Sequence, residues 1–317
     1  MHFKISIIIL FCFSQNIYAQ NKRSAFSDTL KSVTIDSNLT ITAKRGLSMN
    51  DFVQVMVNDT AFYEAFRNLR KFSFVATNKI ETFNDENLST AKIYRKIKHD
   101  NSTKNYKQTV LSASDSGKIF KRNGDYNLYT VKMFSYIFMN DRNTDFTQAK
   151  SYTKNESDEE TYKQKLKTLI FNPGKKVHGI PLISDKTEIF GKDLMNYYNF
   201  TYYYATYQDS IPVYYFKCKV KDGLTWWKED DTMIKELTTI FNAKDFTILG
   251  RYIDMRYSSA PFDFNVKMNI ELAYATEDLL IPVHISYDGD WDIPFKKKEI
   301  CTFDIYHTNF KKGFIIK

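Results

Sequence analysis

After residue 13 the 317-residue chain has no long apolar run. A later membrane-spanning helix is thereby excluded, because one needs about 20 such residues. Cysteine is scarce: Cys12, Cys218 and Cys301 are the three, and no two have metal-ligand spacing. There is no Gly-x-Ser-x-Gly elbow, no His-Glu-x-x-His and no Walker loop, so no catalytic residue, metal or cofactor is assigned. Lys175 and Lys176 stand between Gly174 and Gly179, but the spacing does not suit a phosphate loop. The net charge is +8, from 45 Lys and Arg against 37 Asp and Glu. Those cations are spread through nearly every segment without a basic stripe, which argues against nucleic-acid binding.

The start of the chain reads as a secretory signal. Met1-His2-Phe3-Lys4 is followed by an apolar stretch from Ile5 to Phe13 and by Ser14 to Ala19. Cleavage is expected after Ala19, and Phe11 before Cys12 disfavours lipid attachment there. Export would leave two cysteines, both on apolar strand faces and able to pair in an oxidising compartment or to stay as small hydrophobes. The expected organisation is a signal peptide over 1–19, an extended arm over 20–47, and a single domain over 48–313 with a polar loop at 141–160. The expected location is periplasmic or associated with the outer membrane.

What the chain has in excess is aromatic side chains, 16% of all residues. It also has period-two alternation. Phe262, Phe264, Val266, Met268, Ile270, Leu272 and Tyr274 share one strand face, with polar residues between them. The return strand from Leu280 to Tyr287 is expected to turn at Asp288-Gly289-Asp290, before a strand holding Cys301, Phe303, Ile305 and His307. Earlier strands are expected over 71–82, 90–98, 106–112, 118–122, 200–207, 211–220, 236–241 and 247–257. Helices are expected from Ser48, where Asp51 completes a capping box, and after Asn58-Asp59-Thr60. In the second, Phe62, Ala65, Phe66 and Leu69 keep one face. Residues 161–171 should be helical up to Asn172-Pro173-Gly174; residues 129–138 suit helix or strand. Helices followed by many antiparallel strands give an α+β fold, one large curled sheet packed on short amphipathic helices.

Ala61 to Arg70, Leu166 to Gly174, Gly179 to Ile183 and Tyr287 to Asp292 resemble a group of exported envelope proteins typical of Bacteroidota. In architecture the chain is similar to the outer-membrane lipoprotein carrier (LolA-like) family, a half-barrel holding helices in its concavity. That resemblance implies a non-enzymatic envelope protein binding an apolar ligand, a lipid or a lipoprotein acyl chain, or other envelope proteins. Phe62, Phe66, Leu69, Tyr202 and Phe264 are the expected ligand-binding residues.

Other patterns carry competing readings. Asp288, Asp290 and Asp292 match the spacing of the first calcium-loop ligands, with Glu299 at the twelfth position, but Ile293 replaces the turn glycine and Lys296 opposes a cation. The same carboxylates could serve an envelope glycan hydrolase. His284 and His307 could meet across neighbouring strands. Tyr197, Tyr198, Tyr202, Tyr203, Tyr204, Tyr207, Tyr214 and Tyr215, with Trp226 and Trp227, put rings on both strand faces. The second face is then either covered or a groove. A purely structural or interaction role is the remaining alternative.

Overall fold

The alternation from Phe264 to Leu272 is realised in strand β8 (Phe262–Thr276), where Phe264, Val266, Met268, Ile270 and Leu272 are all buried. The computed structural model describes residues 47–103, 106–138, 167–177, 184–259, 262–292 and 297–313. The signal peptide, all of the arm but Leu47, and the polar loop lie outside the described residues. β8 is one of ten strands in a single antiparallel sheet: β1 (Phe72–Phe83), β2 (Ser89–Asp100), β3 (Lys107–Ser116), β4 (Tyr198–Tyr207), β5 (Ile211–Val220), β6 (Ile234–Asn242), β7 (Ile248–Ser259), β8, β9 (Leu279–Asp292) and β10 (Glu299–Lys312). Their order is β3-β2-β1-β10-β9-β8-β7-β6-β5-β4. The meander from β4 to β10 is therefore extended by β1 pairing with β10, and among the described residues β3 and β4 are the outermost strands.

Helices lie on one face of this sheet. Helix α1 (Met49–Asn58) begins at the expected capping box: the Asp51 carboxylate accepts the Ser48 backbone N–H at 2.7 Å and its hydroxyl at 3.0 Å. Its Phe52 ring meets Tyr202 on β4, Phe216 on β5 and Phe241 on β6, with centroids 4.9, 5.0 and 5.3 Å away. Helix α2 (Ala61–Asn68) packs against β9 and β7, and helix α3 (Tyr129–Phe138) against β10. Helical residues 167–171 add Phe171, whose ring lies 4.9 Å from Phe66. The ambiguous 129–138 segment is helical because Phe134 and Phe138 both stand on the sheet side, Phe134 being 4.3 Å from Tyr287 and 5.3 Å from Phe303.

Several expectations are corrected. No turn occurs at Asp288-Gly289-Asp290, because β9 continues to Asp292. Gly289 has a packing role: a side chain there would collide with the Tyr287 hydroxyl, which also accepts the Trp291 indole N–H at 2.6 Å. Residues 118–122 form no sheet strand, only a bridge from Phe120 to Tyr126, since Ile119 leaves the sheet for the core. Trp226 and Trp227 lie on no strand; they open the short helix α4 (Trp226–Asp231) and are exposed. Cys218 and Cys301 do not form a disulfide: both are buried, on strands five positions apart in the sheet. His284 and His307 occupy neighbouring strands but opposite faces, so they do not meet: His284 stacks on Tyr306 while His307 bonds Pro282.

The second aromatic face is closed by the sheet itself. Tyr207, Val213, Tyr215 and Ile240 are all buried there. The Tyr207 hydroxyl shares its proton between the carbonyls of Leu272 and Leu249, at 3.0 and 3.3 Å. A residue on edge strand β4 reaches β7 and β8 only because that corner folds back on the sheet.

Candidate functional site beneath the helical cover

The covered face is apolar with a few polar insertions, and the largest fully buried side chain on it is Arg251. Strand alternation dictates this placement, since Arg251, Ile253, Met255 and Tyr257 share one face of β7. Its guanidinium makes three contacts to the cover. Nη1 donates to the Phe171 carbonyl at 2.9 Å, Nη2 lies 3.8 Å from the Asp59 carboxylate, and the group sits 4.3 Å from the centre of the Phe62 ring. Asp59 in turn accepts the backbone N–H groups of Ala61 and Phe62 at 2.9 and 3.4 Å, capping α2. One cation therefore joins the start of α2 to the end of the 167–171 helix. Burial lowers the Arg251 pKa to about 10 against the opposing pull of Asp59, so the charge persists at neutral pH.

A second polar tether holds α3. The Glu299 carboxylate, from the start of β10, accepts the N–H groups of Tyr129 and Thr130, each at 2.7 Å. A carboxylate at a helix N-terminus meets unpaired donors and the positive end of the helix dipole. The residue considered as a calcium ligand is thus a helix cap. Asp288, Asp290 and Asp292 are spaced along one face of β9, with Lys298 3.5 Å from Asp290. Among the described residues no cluster of three or more His, Cys, Asp or Glu could hold a metal ion.

The expected ligand-binding residues do not converge at one point. Phe62 and Phe66 face the main core with Phe171, at 6.5 and 4.9 Å between ring centres. Leu69 lies beyond α2, on a short 3-10 turn, and joins a separate cluster with Phe72, Phe74, Ala76 and Ile281. The cause is Asn68, whose amide donates to the Leu280 carbonyl at 2.9 Å and fixes the chain as it leaves the helix. Tyr202 pairs with Phe52 and donates to the Leu47 carbonyl at 3.2 Å. Phe264 is buried between Trp291, 4.8 Å away, and Tyr257, 6.0 Å away. Sequence reasoning missed Arg251, although a charge at an apolar position of an alternating strand was the available signal.

On the outer face, His284 is held between carboxylates, with Nε2 2.8 Å from Asp304 and Nδ1 3.7 Å from Glu271. Burial alone would lower its pKa, but the two carboxylates outweigh it and raise the value to about 9. His284 is therefore a cation at neutral pH and not a general base.

No protein-family model matches the chain, and no curated protein matches it. Two solved structures align over most of their length. One is a LolA superfamily protein from Nitrosomonas europaea, with 9% identity, 83% of this chain and 94% of that chain covered, and a TM-score of 0.24. The other, from Vibrio parahaemolyticus, is a domain assigned to outer membrane lipoprotein sorting, with 8% identity, 84% and 93% coverage and a TM-score of 0.27. Likenesses at this level assign neither family nor function, and the site stands on its own geometry. Among the described residues no helix is long and apolar enough to cross a membrane.

Proposed function

We propose that this is a non-enzymatic, exported envelope protein whose covered sheet face is the seat of an apolar chain, a lipid or an acyl group. In this reading α1, α2, α3 and residues 167–171 form a displaceable cover. The observation that carries it is Arg251. A buried ion pair often contributes no more to stability than well-packed apolar groups of the same volume, so one kept at a helix–sheet seam points to another role. Releasing one guanidinium would free two covering segments together. Phe62 and Phe66 would then line the chain from the cover, with Tyr202 and Phe264 at the two flanks of the seat.

The test is titration of the purified mature protein with a dansyl-labelled fatty acid, together with native mass spectrometry for co-purified lipid. Wild type should bind at micromolar concentration. Phe66→Ala should bind about tenfold more weakly, as expected from losing contact with one buried aromatic ring. Absence of both binding and co-purified lipid would leave a structural or interaction role in its place.

A further inference from the structure

The strand register places a single row of side chains across the covered face. Asn78 on β1 is opposite Ile305 on β10, Ile305 opposite Ile285 on β9, Ile285 opposite Ile270 on β8, and Ile270 opposite Arg251 on β7. Residues directly opposite in an antiparallel pair share a face. All five are at most 1% exposed. Three isoleucines thus form an apolar stripe with a polar side chain at each end. At about 4.8 Å per strand the stripe from Asn78 to Arg251 is roughly 19 Å long.

The two ends differ. Arg251 is engaged through its two terminal nitrogens by Asp59 and the Phe171 carbonyl, and only its Nε lacks a partner among the described residues. Neither the oxygen nor the nitrogen of the Asn78 amide has a hydrogen-bond partner among the described residues. Beyond it in the row, Arg95 is committed to the Asp115 carboxylate, with one contact at 2.6 Å. A buried amide left wholly unpaired is costly, and such a group in a native fold asks for an explanation. An apolar residue would fill the position at lower cost, as Ile80 does two residues further along the same face.

We infer that Asn78 reads the head of the bound chain, and that the head is a neutral group offering both a donor and an acceptor, of the carboxamide class. This rests on the carrier reading above. The primary amide presents an N–H donor beside a carbonyl acceptor, and its complement is another amide lying edge to edge. A charged head is disfavoured, because Asn78 brings no counter-charge into a dry site. The alkyl tail then follows Ile305, Ile285 and Ile270 toward Arg251. The amide sets this direction, since neither of its polar atoms has a partner among the described residues.

The experiment is competition against the dansyl fatty acid with two twelve-carbon probes, dodecanamide and methyl dodecanoate, which accepts but cannot donate. It is run on wild type, Asn78→Leu and Asn78→Ala, each checked for folding by its circular-dichroism melt. The ratio of the two affinities cancels differences in tail packing. The preference of wild type for dodecanamide over methyl dodecanoate should fall about tenfold in both variants, the scale of a hydrogen-bonded pair in a dry site. A ratio unchanged within about twofold would mean that Asn78 is satisfied by a resident water only and overturns the inference, leaving the carrier reading intact. Failure of all three proteins to bind the dansyl fatty acid, and to bind dodecanamide in a direct calorimetric titration, would remove both.

Discussion

Arg251 of β7 and Asp59 at the start of α2 face each other at 3.8 Å, with side-chain exposures of 1% and 7%. Removing the cation leaves the Asp59 carboxylate with only its backbone N–H donors and no counter-charge, and takes the Arg251 donor from the Phe171 carbonyl. Breaking a buried pair in this way costs about 3–5 kcal/mol. Arg251→Met should lose that much in denaturant unfolding. Adding Asp59→Asn, which keeps an oxygen for the α2 cap, should restore part of it. An Arg251→Met protein within about 0.5 kcal/mol of wild type would show that the guanidinium does not hold the cover.

Ile270 ends the isoleucine row beside Arg251 and is fully buried. Truncation there removes three methylene-sized groups and opens a cavity beneath the helices. Ile270→Ala should cost about 2–5 kcal/mol. Glu271, its neighbour on the outer face, lies within reach of His284 at 3.7 Å. Glu271→Gln should therefore cost under about 1 kcal/mol, the range of partly exposed ion pairs. Urea midpoints of the two variants decide the matter; equal losses would mean that the face assignment of β8 is inverted.

Much of this was legible in the chain. The boundaries of β5 and the alternation of β8 follow from residue order alone, and Ser48 with Asp51 announced α1. Local signals misled where a residue served tertiary packing. Gly289 between two aspartates reads as a turn, but it is small so that Tyr287 can lie over it. Trp226 and Trp227 continue an aromatic run, yet they begin a helix after Gly223, whose φ of +74° ends the strand's extension. The pairing of β1 with β10 joins residues more than two hundred apart, and no local pattern encodes it. Arg251 and Asn78 stood on apolar faces in plain sight. Their meaning required the register that aligns them.

Three histidines should give stability an optimum in pH. His99 stacks on Phe74 at 4.4 Å and shares a hydrogen bond with the Tyr106 hydroxyl at 2.5 Å. Burial, with a smaller contribution from His307, lowers its pKa to about 3. Burial lowers that of His307 to about 4, against a hydrogen bond to Pro282 that raises it. The unfolded chain therefore takes up protons near pH 6.5 that the folded protein refuses, and stability falls as pH drops from about 6.5 toward 4 and 3. His284 acts in the opposite sense: raised to about 9, it contributes fully below pH 6.5 and its contribution is lost as pH rises through 9. Urea midpoints should be highest near pH 6.5. His99→Phe should flatten the acid limb and His284→Gln the alkaline one. An acid limb unchanged in both His99→Phe and His307→Phe would assign it to carboxylates instead.

The folded-back corner of the sheet offers a last test. The β6–β7 register slips between Ile240 and Phe241, and the β8–β9 register slips between Glu271 and Leu272. The Leu249 and Leu272 carbonyls lie at these irregularities, and a buried carbonyl without a donor is costly. The Tyr207 hydroxyl supplies that donor to Leu249 and Leu272 together, with the Gln208 amide adding a longer contact of 3.4 Å to Leu272. Its burial raises the phenol pKa, which keeps the proton in place. Tyr207→Phe preserves the ring and removes only the donor, so the loss should be about 1–3 kcal/mol, the cost of leaving buried acceptors unpaired. Tyr203, stacked on Tyr215 at 5.1 Å and partly buried, provides the control. Tyr203→Phe keeps that stack, and its effect should stay within about 0.5 kcal/mol. If the two substitutions cost the same in urea unfolding, the corner is held by ring packing alone, and the hydroxyl is incidental to the curl of the sheet.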